Sequence, residues 1–278
     1  LHPLCPAGMT FYKTSSFGND FIEIDVHDLP AGAVDKGALA ERICDRQRGV
    51  GADGVVFYRE EKQRFHFEIF NRDGGRAELS GNGMAGLAAV LFQRRLASPP
   101  LTLHGVAGSR RVGLLGRQGP VFQLDVEIGK PGFADRGFFP FLGEAREPYR
   151  CAGVEFHPVA VGNPHAVVFC RNRIDSGRLA ALGKKLEGHP MFPKRVNVEF
   201  VHCLDMENCR VFFYERGVGP TLASSTGSAA VFAVLRRLGK ARDRLLIQCG
   251  AERIAVSWKN GIFVHNFTRL VCRGEYFL

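Results

Sequence analysis

Two stretches of the chain are apolar on nearly every face, from Met84 to Leu96 and from Gly227 to Leu238. A helix that is hydrophobic all round is buried inside a protein, because it has no polar side to turn towards solvent. The pattern therefore predicts two central helices, each enclosed by other elements.

Polar and apolar residues alternate around each of these helices, which is typical of half-buried strands. Helical periodicity in Asp35 to Arg46 and in Ser176 to Glu187 predicts one outer helix in each half. The alternation predicts strands within Phe11 to Asp25, Val55 to Phe57, Phe65 to Asn71, Leu101 to Ile128, Val159 to Phe169, Val196 to Val201, Cys209 to Tyr214 and on both sides of Trp258 to Gly261.

The two halves are related by a single frame in which residue n matches residue n+144 without a gap. A chance register of two apolar helices would not also align a Gly-Asn turn far upstream. A period this long indicates two copies of a whole domain, since solenoid repeats run to about 20–50 residues. The frame superposes Ser80 on Ser224, Gly83 on Gly227, Ala85 on Ala229, Gly18-Asn19 on Gly162-Asn163, Arg72 on Arg216 and Gly75 on Gly219.

The duplication predicts one domain over residues 9–128 and a second over residues 129–267. Gly129 to Gly143 is rich in Gly, Pro and Phe, as expected at a boundary between the copies. Residues 268–278 are expected to return and pair with the first domain. Residues 1–8 precede the first strand-like segment, and we expect them to contribute nothing to the fold.

Length and composition are those of a globular protein with a substantial core: 278 residues, of which 45% are hydrophobic and 23% charged. No apolar run approaches the roughly 18 residues of a membrane span. Leu1 to Gly8 lacks the basic and apolar regions of a signal peptide. We therefore expect a cytoplasmic protein without a membrane partner.

Cysteine spacing and charge disfavour two further classes of function. The eight cysteines are scattered without a C-x-x-C pair or a histidine at ligand spacing, so no metal site is expected. A net charge of +9 favours anionic partners. The basic residues are nevertheless spread along the chain without an aromatic-basic stacking motif, so nucleic-acid binding is not expected.

Each central helix follows a short loop that a serine opens, Ser80-Gly81-Asn82-Gly83 and Ser224-Ser225-Thr226-Gly227. A loop entering a helix N-terminus presents backbone N–H groups and the positive end of the helix dipole, which suit a carboxylate. Two such loops that faced each other could hold one carboxylate and transfer protons on opposite faces of the adjacent carbon. Each serine by itself is also explained as a helix N-cap.

Seven motifs in order, from about residue 11 to residue 238, resemble diaminopimelate epimerases. A single Gly-Asn pair would carry little information, whereas the ordered series is highly specific. The motifs are Phe17-Gly18-Asn19-Asp20-Phe21, Cys44-Asp45-Arg46 with Gly51-Ala52-Asp53-Gly54, Phe70-Asn71-Arg72-Asp73-Gly74, Gly81-Asn82-Gly83, Gly162-Asn163-Pro164-His165, Val196-Asn197-Val198-Glu199-Phe200 and Glu215-Arg216-Gly217-Val218-Gly219.

The resemblance implies an α/β fold of the α+β kind, with two pseudo-symmetric domains and the site in the cleft between them. In each domain a curled, mostly antiparallel sheet would surround the central helix. The implied activity is that of an amino-acid epimerase or racemase without a cofactor, in which one group removes the α-proton and the opposite group delivers another. A small amino acid is the expected partner, and a homodimer is left open because family members are often dimers.

The same resemblance assigns roles to individual residues. Ser80 and Ser224 take the two acid/base positions. The implied ligands are Gly81, Asn82, Ser225 and Thr226 for the α-carboxylate, Asn71, Asn197 and Arg216 for the distal carboxylate, Glu215 for the distal ammonium, and Asn19 and Asn163 for the remaining polar lining.

The sequence departs from the family where the family has its two acid/base cysteines, and Ser225 stands where glycine is usual. A thiol titrates near 8.5, whereas a serine hydroxyl needs a neighbouring base. The candidate bases are His165, Glu215 and Glu78. Three accounts stay open: an isomerase with assisted serines, a proton-shift activity with a base on one face, and a silent homologue, natural or altered, that binds an amino acid.

Overall fold

The structure is a computed structural model that describes residues 8–30, 34–143, 147–171 and 175–277. The chain divides into two compact units, unit 1 with residues 1–125 and 267–278, and unit 2 with residues 126–266. The unit boundaries in the structure thus fall after residues 125 and 266. The sequence pattern places these boundaries after residues 128 and 267. Apart from Gly8, the segment 1–8 lies outside the described residues.

The described residues of unit 1 form seven strands and two α-helices, together with parts of two strands that continue into unit 2. Their bounds are β1 Gly8–Ser16, β2 Asn19–Asp25, α1 Lys36–Cys44, β3 Gly54–Glu61, β4 Arg64–Asn71, β5 Arg76–Ala77, α2 Gly81–Gln93, β6 Leu101–Gly105 and β7 Gly108–Gln118, with the first part of β8 Val121–Gly129 and the last part of β17 Ile262–Phe277.

The sheet of unit 1 curls around α2. Strand β17 pairs with β1, followed in order by β2, β3, β4, β6 and β7; the β2–β3 and β4–β6 pairings are parallel and the others antiparallel. Strands β1, β2, β3 and β7 all contact α2, so strands from both halves of this order meet the same helix. Enclosure explains the apolar sequence, because every residue from Gly81 to Leu91 is buried.

Unit 2 repeats this arrangement around a second central helix. Strands β9 to β13 pair in sequence, β13 pairs with β15, β15 with β16 and β16 with β17; α4 contacts β10, β11, β12 and β16. The bounds are β9 Tyr149–Cys151, β10 Val154–Ala160, β11 Pro164–Phe169, α3 Ser176–Glu187, β12 Asn197–Cys203, β13 Asn208–Glu215, β14 Gly219–Thr221, α4 Ser225–Arg237, β15 Arg244–Cys249 and β16 Glu252–Trp258. The expected α+β class is confirmed.

The register of the strands supports the duplication and corrects its frame at one strand. The β4–β6 and β6–β7 pairings recur in β13–β15 and β15–β16 at an offset of 144. Phe21, however, pairs with Gly54, whereas His165 pairs with Asn197. The connection into β12 is therefore one residue shorter than that into β3, and the prediction of a gapless frame is wrong there.

One buried glutamate shapes the packing of α2. Glu23 is fully buried, and its Oε1 accepts a 2.6 Å hydrogen bond from Thr14 Oγ1. Burial raises the pKa of Glu23 well above its ordinary value. Gly86 allows the helix to lie this close, because a Cβ there would overlap Glu23 Oε1 and Thr14 Oγ1. In α4 the matching residue is Ala230, which faces no such glutamate because Val167 matches Glu23.

Replacing Gly86 by alanine is expected to destabilise the protein by about 1–3 kcal/mol, since an added methyl group would overlap two buried oxygens. Denaturant unfolding measures the change. Gly188→Ala is the control, because a Cβ at Gly188 would meet nothing closer than 3.9 Å. Equal stability of the two variants would contradict the packing described for Glu23.

Among the described residues, the structure contains no helix with both the length and the apolar character required to cross a membrane.

Candidate active site

Both central helices begin with the same serine cap. Ser80 and Ser224 are extended, with φ and ψ of −141° and 118° and of −138° and 122°. Each hydroxyl accepts a 3.1 Å hydrogen bond from the amide three residues ahead, that of Gly83 or Gly227. The N-cap role is therefore observed in both, but it uses only an acceptor lone pair, so each hydroxyl keeps its proton to donate.

The first turn of each helix is also the positive end of its dipole. The serine hydroxyl meets the third amide, and the serine carbonyl meets the fourth, at 3.0 Å from Met84 N and 2.9 Å from Ser228 N. The first two amides of each helix are those of the positions predicted to hold the α-carboxylate. They belong to Gly81 and Asn82 in unit 1 and to Ser225 and Thr226 in unit 2. Both loops therefore have the local geometry of an anion site.

In unit 2 the capping serine meets a carboxylate. Ser224 lies close enough to Glu215, the last residue of β13, for hydrogen bonding to lower its pKa, and its hydroxyl oxygen is also 3.5 Å from Thr226 Oγ1. Thr221 Oγ1 donates to Glu215 Oε1 at 3.3 Å. Burial raises the pKa of Glu215 to about 7, against the lowering effect of these two hydrogen bonds. A group with this pKa exchanges protons near neutrality, so of the three candidate bases Glu215 is the one that the structure places beside Ser224.

Unit 1 lacks this carboxylate at the matching position. Asn71 ends β4 as Glu215 ends β13, at the offset of 144. Within the described part of unit 1, the side-chain hydrogen bond of Ser80 is the one it accepts from Gly83. Glu78, a candidate base by sequence, lies two residues before Ser80. An amide cannot act as a general base, so the two halves are alike in backbone and unlike in chemistry.

A buried chain of polar side chains lies in unit 2. His165 is fully buried, with Nδ1 2.7 Å from Glu199 Oε1 and Nε2 2.7 Å from Asn163 Oδ1. Burial raises the pKa of Glu199, against the attraction and hydrogen bond of His165. The charges of His165 and Glu199 also act on Glu215, in opposite directions. His165 therefore contacts another candidate ligand, Asn163, and not the Ser224 hydroxyl.

Charged residues hold the matching asparagine in unit 1. Asn19 Nδ2 donates to Asp53 Oδ2 at 2.9 Å and Asn82 Nδ2 donates to Asn19 Oδ1 at 3.0 Å, so two predicted ligands lie together. Arg46 binds Asp53 and both carboxylate oxygens of Asp20. Although burial opposes it, the hydrogen bonds from Arg46 and Lys13 lower the pKa of Asp20. Asp20, Arg46 and Asp53 lie within the recognised motifs and Lys13 lies outside them, and none of these charged residues had a predicted role.

Asn197 and Arg216 form hydrogen bonds with each other and with backbone carbonyl groups. Asn197 Nδ2 donates to Pro164 O at 2.9 Å, and Arg216 N donates to Asn197 Oδ1 at 2.9 Å. Arg216 Nη1 donates to Lys194 O at 3.0 Å. Both polar atoms of the Asn197 amide thus have backbone partners. The assignment of Asn71, Asn197 and Arg216 to a distal carboxylate stays a prediction, as does a single cleft for both halves.

Cysteines do not replace the two serines in the described part of the chain. Seven free cysteines are described there, and none of them opens α2 or α4. Burial raises the pKa of the Cys44 thiol to about 12 and that of Cys170 to about 11. Thiols with such values are not thiolates near neutrality, so they are poor acids and bases there.

The family model for diaminopimelate epimerase matches residues 11–133 and 158–263. The chain belongs to the diaminopimelate epimerase family. The first matched segment includes Ser80 and the predicted ligands Asn19, Asn71 and Asn82. The second includes Ser224 and the predicted ligands Asn163 and Asn197. Family membership therefore covers both half-sites and not only one copy of the duplication.

Relatives in this family are matched over almost their whole length. A diaminopimelate epimerase of Carboxydothermus hydrogenoformans is 32% identical over 97% of this chain and 100% of its own. One from Caldanaerobacter subterraneus subsp. tengcongensis is 33% identical over 96% and 99%. The solved structure of a hydroxyproline epimerase from Agrobacterium vitis superposes with a TM-score of 0.70 at 17% identity, covering 98% and 93% of the two chains, which shows a shared fold.

Proposed function

We propose that the chain is a cofactor-independent isomerase that moves a proton at the α-carbon of an amino acid similar to diaminopimelate. Ser80 and Ser224 stand where, by resemblance, the family has its acid/base cysteines. The relatives named diaminopimelate epimerase support the substrate class. The cytoplasmic location and the homodimer stay predictions.

The contact between Ser224 and Glu215 carries this proposal. The Ser224 oxygen accepts from Gly227 N and so leaves its own proton for Glu215. As the Ser224 oxygen takes the α-proton of the substrate, its hydroxyl proton passes to Glu215, so no charge has to build up on an unassisted alkoxide. Delivery of a proton to the product reverses these two transfers.

The helix N-termini supply the electrostatic part of the mechanism. Removal of the α-proton leaves negative charge that spreads onto the α-carboxylate. Backbone amides and the positive end of α4, which Ser224 caps, stabilise that charge, and preorganised donors of this kind often contribute the largest share of rate enhancement. Arg216 is proposed to bind a distal carboxylate, because a guanidinium suits that geometry.

The difference between Asn71 and Glu215 favours a second candidate, a proton shift or exchange with a base on one face only. Ser224 would then remove and return the proton, while Ser80 would serve as helix cap and ligand. The product separates the two candidates, since two-face chemistry converts LL-diaminopimelate to the meso form and one-face chemistry exchanges the proton without inversion.

The rate of exchange of the α-proton of LL-diaminopimelate with solvent deuterium is expected to rise with pH around an apparent pKa of about 7, because Glu215 must be ionised to accept a proton. Proton NMR at a series of pH values measures it. The variant Glu215→Gln should lose this step. If the exchange rate of that variant still rose around pH 7, the titrating group would be one other than Glu215.

The raised pKa of Glu215 also predicts how stability changes with pH. The folded state holds more protons than the unfolded chain between the ordinary value of 4.5 and about 7. The stabilising contribution is therefore complete below 4.5 and lost as pH rises through about 7. Denaturant unfolding of the protein and of Glu215→Gln over this range checks the sign.

A further inference from the structure

The His165–Glu199 pair has an apolar counterpart in unit 1. Sheet register places Phe21 at the position of His165 and Val56 at the position of Glu199. The two copies of one scaffold thus carry an ionisable pair in one case and a hydrophobic pair in the other.

Both pairs lie beneath the first turn of the central helix. In unit 1, a Cβ on Gly83 would approach Val56 Cγ2 to 3.2 Å, and in unit 2 a Cβ on Gly227 would approach Glu199 Oε1 to 2.9 Å. A buried ionisable pair is weak evidence for stability, because desolvation offsets the attraction between the charges. Unit 1 shows that the scaffold needs no such pair at this place.

The side chains of Glu199, His165 and Asn163 form a chain of hydrogen bonds in that order. Asn163 Oδ1 can only accept, so His165 Nε2, which is 2.7 Å away, carries the hydrogen of that bond. The 2.7 Å contact between His165 Nδ1 and Glu199 Oε1 holds one further proton, on the imidazole or on the carboxyl group. This bond fixes the orientation of the Asn163 amide, with Oδ1 towards His165 and the two Nδ2–H donors on the opposite side for other partners. Glu199 thereby controls which end of a distant amide is offered.

The matching asparagine of unit 1 is held in a different way. Asn19 Nδ2 donates to Asp53, and its Oδ1 accepts from Asn82. Both ends of that amide are engaged by protein groups, whereas the Asn163 amide is fixed through its oxygen alone. The ionisable pair of unit 2 is thus coupled to a half-site that offers a donor.

We propose that Glu199 is a positioning residue, which acts through His165 to hold the Asn163 amide with its N–H donors towards a carboxylate oxygen of the substrate. This inference rests on the proposed function, because it takes a carboxylate-bearing amino acid as the ligand. It adds a residue that touches no ligand itself and has no counterpart in the other half.

A double-mutant cycle tests the path from Glu199 to Asn163. The variants are Glu199→Gln, Asn163→Ala and their combination, and calorimetry measures their affinity for LL-diaminopimelate. Each single variant is expected to bind about 10- to 100-fold more weakly, because a misplaced donor loses its contact. Glu199→Gln should have little further effect once Asn163 is alanine. Additive losses of binding free energy in the double variant would show that Glu199 does not act through Asn163.

Glu23→Gln is the matched control. Glu23 is also fully buried beneath a central helix, with one hydrogen bond to Thr14 and its Oε2 without a hydrogen-bond partner, but without a link to an asparagine. The Glu23→Gln variant should bind LL-diaminopimelate with an affinity within twofold of that of the unchanged protein. A loss equal to that of Glu199→Gln would show that any buried glutamate matters and would overturn the positioning role.

NMR provides a readout independent of the reaction. The side-chain amide of Asn163 should give a single sharp pair of ¹H–¹⁵N signals in the unchanged protein and in Glu23→Gln. It should broaden or double in Glu199→Gln, since the amide is free to rotate. Unchanged signals would overturn the inference. If Glu199→Gln fails to fold, Glu199→Asp takes its place.

A protein that binds no LL-diaminopimelate contradicts the proposed function. The NMR signals of the Asn163 side-chain amide still decide the role of Glu199 in that case.

Discussion

The double variant Ser80→Cys/Ser224→Cys is expected to convert LL-diaminopimelate to the meso form about 10²- to 10⁴-fold faster than the unchanged protein, the range that a well-matched acid/base group contributes. A thiol titrates near 8.5 and lower still at a helix N-terminus. Both positions are such termini, so each thiol would gain the cap geometry and the dipole that the serines now have.

The single variants show whether both faces carry chemistry. Two-base epimerisation needs both thiols, so Ser80→Cys and Ser224→Cys together should exceed the product of the single effects. Ser176→Cys, at an exposed helix end, is the control and should change nothing. No gain in epimerisation from the double variant would place the acid/base positions elsewhere.

Replacing Glu215 by glutamine is expected to slow α-proton exchange by about 10²-fold or more, because glutamine cannot take the proton of the Ser224 hydroxyl. Glutamine still accepts the hydrogen bond from Thr221, so the local structure should be kept. Exchange in deuterated water followed by NMR measures the loss.

Glu78→Gln is the paired control for this variant. Glu78 is two residues from the other capping serine, whose hydroxyl is bonded to the amide of Gly83, so its removal should change exchange less than twofold. Equal losses from the two variants would contradict the asymmetry between Glu215 and Asn71. A large loss in Glu78→Gln alone would assign the assisted base to unit 1.

The hydrophobic pattern was sufficient to predict both central helices, because enclosure demands apolar residues on every face. Their starts were harder to predict: α2 begins at Gly81 and α4 at Ser225, ahead of the apolar runs. Glycine and polar residues fill both first turns, and an apolar pattern cannot detect them. The one-residue slip at β12 was also hidden, since it lies in a connection without a matching landmark.

The candidate site was predictable as a set of residues but not as a set of contacts. Sequence offered His165, Glu215 and Glu78 as bases for the serines without ranking them. The hydrogen bond between Glu215 and Ser224 depends on how β13 and β14 fold back towards α4. The contact between His165 and Glu199 depends on the register of the parallel strands β11 and β12, which no local pattern fixes.

The most direct test is incubation of the unchanged protein with LL-diaminopimelate in deuterated water, with the α-proton followed by NMR. We expect saturable loss of that proton at a rate that rises with pH around 7 and disappears in Glu215→Gln. Saturable binding without any exchange over many hours would contradict the isomerase assignment and would leave a protein that binds the amino acid without transforming it.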